Sequence, residues 1–449
     1  MIKTRSLLLF ILVWTAVAAA PTVAPLDFDK AEYAARRQKL MAQIPDGLAI
    51  VQGSLAGPLN NEFIQNNDFL YLCGVKLPRA VLLVDGIHKE SILFYTTSER
   101  YLRNEGLSLD LLRDPKAATG VDRYYPAEEF TKVLTGLAAQ AKVIYTPFTP
   151  EGPPQEVATN SDWDGRPTRE RQFAKMLEQR FPTIEVRDCT AMFWDLRRLK
   201  TPAEIDVLRE ASQISVQAMI EVMKGARVGQ FEYELSALFE YACKRRGCRR
   251  VFDYNVIISS AENHPYLHYY RHDRKLVDGD FLVVDSGADY RDYDSDLTIS
   301  FPINGTFSPR QREIYEACKA VSQACLLVYK PGLTAYDVGA LVRKKLQEEG
   351  YDLTRDAFTS LQYFKEGGVT HYVGLATHDA GGSDKPKDRP LRAGEVFASD
   401  VFAVFPKENL GVRVENVVLI TETGCENLSA GLPREISEIE ALMKGARKK

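Results

Sequence analysis

Two patterns of apolar and polar positions divide the chain. From Asp27 to about Asp188, short apolar runs alternate with helix-compatible stretches. Lys30 to Ala42 has helical periodicity. Gly47–Val51, Phe69–Leu72, Ala80–Val84 and Ser91–Tyr95 read as strands, with Gly74 and Pro78 marking a turn. Strands alternating with helices imply a sheet covered by helices. Thr149 to Pro167 is rich in Pro, Gly, Asn and Asp and reads as a surface loop. The pattern changes between Asp188 and Lys200. Thr201-Pro202-Ala203-Glu204 then forms a capping box with proline at the first helical position. Ile205, Leu208, Ala211, Ile214, Ala218 and Val222 follow on one helical face. Further helices are expected over Phe231–Arg246, Arg310–Val328 (capped by Ser308-Pro309) and Thr334–Glu349, stopped by Gly350. Strands separate these pairs, a coarse helix–helix–strand duplication. The expectation is an α+β chain of two domains.

One stretch of the second half combines strand pattern with chemistry. Phe281-Leu282-Val283-Val284 ends in Asp285, and Leu297–Phe301 begins just after Asp296. The two runs read as a hairpin. A turn centred on Tyr290-Arg291 puts Asp285 and Asp296 directly opposite, with Cβ atoms roughly 4.5–5.5 Å apart. Carboxylates that close repel, and burying both is costly without a compensating charge, which a divalent cation supplies. An exposed acidic hairpin is the other reading of this stretch.

Other polar residues sit in apolar surroundings. In Gly411–Ile420, a period of two places Arg413 and Glu415 on one face, where they could pair with each other. Asp400 is a lone carboxylate in Val396–Phe405 and needs a partner or a capping role. His371 and His378 are seven apart, so they do not make the His-x-x-x-His pair of zinc peptidases. His268 precedes the acidic hairpin.

With 449 residues, 45% hydrophobic and 26% charged, the composition is that of a globular protein with two cores. A net charge of −4 offers no electrostatic basis for binding nucleic acid or an anionic membrane. Lys3 and Arg5, the apolar run Leu7–Trp14 and Ala16-Val17-Ala18 have the pattern of a secretory signal peptide over residues 1–20. That predicts a periplasmic or secreted protein with no stable membrane insertion after cleavage. Seven cysteines cannot all pair within the chain and lack zinc-ligand spacing; Cys318 and Cys325 read as buried helical positions.

The order Asp285, Asp296, His371, Asp400, Glu415, with its flanking residues, resembles the aminopeptidase P, prolidase and methionine aminopeptidase group of metallopeptidases, and Xaa-Pro aminopeptidases in particular. The matching motifs are Asp285-Ser286-Gly287, Ser295–Phe301, His371–Asp379, Asp400-Val401 and Arg413–Asn416. Glu262-Asn263 with Leu267–Tyr269, Thr421–Leu428 and Glu62–Gly74 extend the resemblance over about residues 27 to 445. It implies an N-terminal aminopeptidase P-type domain over 27–188 and a C-terminal "pita-bread" catalytic domain over 200–445. It further implies two divalent ions, with Mn²⁺ suited to the oxygen-rich set. Asp296 and Glu415 would bridge them, Asp285 would complete one site, and His371 with Asp400 the other. A hydroxide held between the ions would attack the bond before proline. His268, His378 and Arg413 would orient substrate, move protons and steady developing charge. The implied substrate is a peptide with proline in second position. The resemblance also admits a homo-oligomer.

Two positions depart from the family pattern. Asp400-Val401 stands where the family has Glu-Pro, so that carboxylate is one methylene shorter. Gly367 stands four residues before His371, where the family has a substrate-contacting histidine; Glu366 and His264 are candidates to replace it. Two alternatives to the Xaa-Pro aminopeptidase reading are a prolidase-type dipeptidase and a metal-free, creatinase-like or binding protein of the same fold.

Overall fold

The computed structural model describes residues 28–55, 63–151, 167–248, 250–251, 255–381 and 387–447. The expected signal segment and most of the expected loop at 149–167 lie outside them.

The first sheet has six strands, β1 (Gly47–Gln52), β2 (Val81–Asp85), β3 (Glu90–Phe94), β4 (Arg123–Tyr125), β5 (Val143–Thr146) and β6 (Glu185–Asp188). Their order is β4-β3-β2-β1-β5-β6. β1 pairs antiparallel with β2 and parallel with β5, so the sheet is mixed. Phe69–Leu72, expected as a strand, is instead part of the helix Asn67–Cys73. Local capping decides this. The Asn66 side chain accepts from the Phe69 N–H at 3.0 Å, and Gly74 closes the other end at φ 66°. An apolar run of this length reads equally well as either element until its caps are weighed.

The second sheet contains β8 (Ile257–Ser260), preceded by β7 (Arg250–Val251), then β9 (Phe281–Ser286), β12 (Leu297–Pro302), β13 (Val369–Tyr372), β14 (Val396–Phe405), β15 (Leu410–Ile420) and β16 (Cys425–Asn427). The order is β13-β14-β15-β12-β9-β8, with β16 also on β15. Between β9 and β12 the chain leaves this sheet. β10 (Ala288–Tyr290) and β11 (Tyr293–Asp294) pair with each other and with β7 in a small sheet of their own.

This excursion corrects the expected hairpin. Tyr290 pairs with Tyr293, so the turn is centred on Arg291-Asp292 and the register is shifted by two residues. Asp285 lies opposite Thr298 and not opposite Asp296. Arg291 and Asp292 both have positive φ, 54° and 64°, the twist that suits a two-residue hairpin turn. The Asp289 carboxylate accepts from the Asp292 N–H at 3.0 Å and fixes it. Because the shift is even, Asp285 and Asp296 keep the same face.

The helices Pro202–Gly225, Glu232–Lys244, Pro309–Val328 and Ala335–Glu348 supply one side of the core. The capping box at Thr201 and the cap at Ser308 form as the sequence leads one to expect, and Gln311 makes the latter a capping box as well. Val284, Ile299, Val401 and Val414 share that core with Ile214, Phe239, Val321 and Val342. Their neighbours Asp285, Thr298, Asp400 and Glu415 therefore face the other side. Cross-strand pairing puts these four in one row, Asp400↔Glu415↔Thr298↔Asp285. Farther along the same face, Ala398, Val417 and Val373 join a cluster with Phe69, Tyr71 and Phe193 from the first half of the chain.

Gly287 sets how closely the chain approaches itself before Asp296. A Cβ there would lie 1.6 Å from the Ser295 carbonyl oxygen. Gly287→Ala is expected to destabilise the fold by about 1–3 kcal/mol, the usual cost of overpacking. A urea midpoint equal to that of the wild type would contradict this.

Candidate metal centre

Asp285, Asp296, His371, Asp400 and Glu415 are all buried, none more than 5% exposed. Asp285 comes from the end of β9, Glu415 from the middle of β15, and Asp296 from the residue before β12. His371 comes from β13, where an irregularity in register lies between Val369 and Tyr372. Three residues of β13 there span two of β14, which frees His371 from strict alternation.

Among the described residues two groups of donor atoms result, each with all its atoms within 4.8 Å of one another. One is Asp285, Asp296 and Glu415; the other is Asp296, His371 and His378. Asp296 belongs to both. Its Oδ2 is 3.4 Å from His371 Nε2. His371 Nδ1 lies 3.2 Å from the Tyr372 carbonyl oxygen, to which it can only donate, so Nε2 carries the lone pair. The rings of His371 and His378 meet edge to face with centroids 4.0 Å apart.

Asp285 Oδ1, Asp296 Oδ1 and Glu415 Oε1 are buried without a hydrogen-bond donor. Buried acceptors are ordinarily satisfied, and three unsatisfied ones on clustered carboxylates need a common partner. Their hard oxygen chemistry fits a divalent cation such as Mn²⁺. Burial, and then the neighbouring Asp285, pushes the Asp296 carboxyl well above its ordinary range. Burial does the same to Glu415, with Arg413 opposing and Asp296 adding to it. Burial holds the His371 imidazole down to about 4, and His378 falls to about 3 through burial and the adjacent His371. Both rings are neutral at pH 7, the form that ligates metals.

Arg413 and Glu415 share a face, as the strand period requires, but their contact is loose at 3.7 Å. The guanidinium instead donates to Asp285 Oδ2, and to both oxygens of Asp400 at 3.0 and 2.8 Å. Asp400 belongs to neither donor group. His378, which the sequence reading assigned to proton transfer, belongs to one. His268 is exposed and stacks near Tyr270, and its charge is felt at His378.

Of the two candidates to replace the histidine missing at Gly367, Glu366 is half-buried with its charge felt at Tyr363 and Lys387. His264 is buried with both ring nitrogens engaged, by Ser259 Oγ and the Phe281 carbonyl oxygen at 3.1 Å each. It is a structural residue. Gly367 itself, at φ 59°, points toward a helix: a Cβ would lie 2.3 Å from Val338 Cγ1. A side chain there has no room, so this backbone excludes the family's imidazole. Tyr363, which the sequence reading missed, packs edge to face on Phe402, and its phenol feels the charges of Asp400, Arg413 and Glu415. A cleft beside Arg413 is lined by Ile257, Leu267, Val283 and Phe402.

A second network was also unforeseen. Arg197 donates to Asp68 and Glu151 at 2.8 and 2.7 Å and to Asp379, which Lys200 also reaches at 3.2 Å. Asp379 directly follows His378. Burial raises its carboxyl, but Arg197 and Lys200 outweigh that and hold it below the ordinary range. No local pattern announces such a network, because its members are far apart in sequence.

Comparison with known proteins agrees with this geometry. The family model for "Metallopeptidase family M24" matches residues 206–422, and that for "Aminopeptidase P, N-terminal domain" matches residues 33–145. The Xaa-Pro aminopeptidase of Escherichia coli is 30% identical over 455 residues, covering 94% of this chain and 99% of that protein. Human Xaa-Pro aminopeptidase 3 is 28% identical over 451 residues, covering 92% and 86%. The structure of E. coli aminopeptidase P with the inhibitor Pro-Leu superposes with a TM-score of 0.76 at 28% identity, covering 94% of this chain and all of that one. Fold and donor set together define a metal-dependent hydrolase acting on peptides, of α+β architecture with an aminopeptidase P-type N-terminal domain. The chain belongs to metallopeptidase family M24.

The clustered carboxylates generate a prediction for stability. Asp296→Asn removes one repelling charge, so the cation-free variant should melt at a higher temperature than cation-free wild type. Adding Mn²⁺ should raise the wild-type melting temperature, since a ligand of the native state stabilises it, and leave the variant nearly unchanged. Scanning calorimetry checks both. A variant that melts lower without cation, or gains as much from Mn²⁺, would contradict the assignment.

Proposed function

We propose that this protein removes the N-terminal residue of peptides whose second residue is proline. The observation that carries the reading is the set of three buried carboxylates, each offering an oxygen within 4.8 Å of the others' and each keeping one oxygen without a donor, in a chain aligned almost end to end with an Xaa-Pro aminopeptidase. Asp285, Asp296 and Glu415 hold one divalent cation, Mn²⁺ or a similar ion, and His371 contributes to a second beside it. When bound, such a pair supplies a water acidified enough to attack at neutral pH and polarises the scissile carbonyl.

The protein's own groups do the rest. The X–Pro bond is a tertiary amide without an N–H, so recognition rests on shape and on the carbonyl. Ile257, Leu267, Val283 and Phe402 beside Arg413 offer apolar side chains against which a proline ring can pack. Arg413, held between Asp285 and Asp400, presents fixed positive charge beside the reacting carbonyl. The Tyr363 phenol, close enough to feel the charges of Asp400, Arg413 and Glu415, is a candidate donor to substrate. His268, at the exposed edge, is placed to exchange protons with solvent and substrate. Among the described residues no helix is long and apolar enough to cross a membrane. The leader pattern of residues 1–20 supports export to the periplasm or beyond.

Hydrolysis of X-Pro-Y tripeptides and X-Pro dipeptides, followed by release of free X, tests the reading. The tripeptide should be cleaved; cleavage of the dipeptide alone would make the protein a prolidase-type enzyme. Glu415→Ala should lower kcat/KM by about 10³-fold or more, roughly 4 kcal/mol of transition-state stabilisation. Wild-type turnover in that variant would remove Glu415 from the centre.

A further inference from the structure

The four carboxylates of the centre are not alike. Asp285, Asp296 and Glu415 each keep one buried oxygen without a donor. Asp400 does not: both its oxygens accept from Arg413, at 3.0 and 2.8 Å, in the two-pronged geometry that guanidinium and carboxylate favour. On adjacent strands Asp400 faces Glu415 and Phe402 faces Arg413, so Asp400 and Arg413 are diagonal neighbours on one face. Asp400 is absent from both donor groups, and the place of a further donor beside Asp296 and His371 is taken by His378.

We infer that Asp400 is not a metal ligand in this protein but the anchor of Arg413, and that the second cation is held by Asp296, His371 and His378. The inference rests on the metallopeptidase reading above and changes its ligand set. The short aspartate positions the guanidinium, and the imidazole of His378 completes the site. The two positions then differ in chemistry. Asp285, Asp296 and Glu415 offer hard oxygens only. Asp296, His371 and His378 offer one carboxylate and two imidazoles, a set that favours Co²⁺ or Zn²⁺ over Mn²⁺.

Co²⁺ titration of the cation-free full chain tests this by bound metal per chain at saturation. Wild type and Asp400→Asn should each hold two ions, with affinities within the roughly 10- to 100-fold range of an outer-shell change. His378→Ala should hold one. A measurement on unaltered protein stands beside the variants. Co²⁺-loaded wild type should show hyperfine-shifted ring-proton resonances from two histidines. An Asp400→Asn variant that stops at one ion, a His378→Ala variant that reaches two, or shifted resonances from one histidine would each overturn the inference. Wild type that binds no Co²⁺ would overturn the metallopeptidase reading as well, and that outcome is distinct from the others.

Discussion

The structure depends on holding carboxylates together where no hydrogen-bond donor meets their inward oxygens. Asp285 and Glu415 sit within apolar strands and Asp296 just before one, and each would be easier to bury as a neutral residue. Two strand pairings, Thr298 on Asp285 and Thr298 on Glu415, fix the spacing of the row. Thr298 Oγ1 also donates to Glu415 Oε2 at 2.6 Å and so chooses which oxygen points inward. Arg434 braces the same strands from behind by donating to the carbonyl oxygens of Thr298 and Glu415 at 2.5 and 2.6 Å. The sheet's other face, packed on helices, makes the row rigid. Rigid carboxylates at fixed spacing are what a hard cation requires.

Arg197 extends this constraint across the molecule. Its guanidinium is buried among Asp68, Glu151 and Asp379, which come from the first half of the chain and from the loop after β13. The Asp379 N–H donates to the Tyr372 carbonyl oxygen at 2.9 Å, closing the loop that carries His378. Breaking one member of such a network leaves uncompensated buried charge, which is strongly destabilising. The position of His378 is therefore coupled to the helix Asn67–Cys73 of the N-terminal half through Asp379, Arg197 and Asp68.

Much of this was legible in the sequence, for identifiable reasons. The shared face of Arg413 and Glu415 could be read from the period of two in β15, and the shared face of Asp285 and Asp296 from the hairpin pattern, while Asp400 joined them only through the family resemblance. The capping box at Thr201 and the cap at Ser308 are local chemistry and appear where expected. The turn was misplaced because Arg291 gives no signal for a left-handed backbone, although Asp292 tolerates one. The Asn67–Cys73 helix was misread because six of its residues are buried and show no periodicity. The grip of Arg413 on Asp400 and the Arg197 network depend on long-range packing. The same holds for Gly367, whose meaning changes once Val338 is seen against it: the glycine is required by a helix.

The central claim is that Asp285, Asp296 and Glu415 converge on a divalent cation. Anomalous diffraction at the manganese edge from Mn²⁺-loaded crystals tests it most directly. The account predicts a peak bounded by Asp285 Oδ1, Asp296 Oδ1 and Glu415 Oε1, each at roughly 2.0–2.6 Å, the range of oxygen ligands on hard cations. Crystals grown in ample Mn²⁺ that show no peak there, or show these oxygens turned apart onto protein donors, would contradict it.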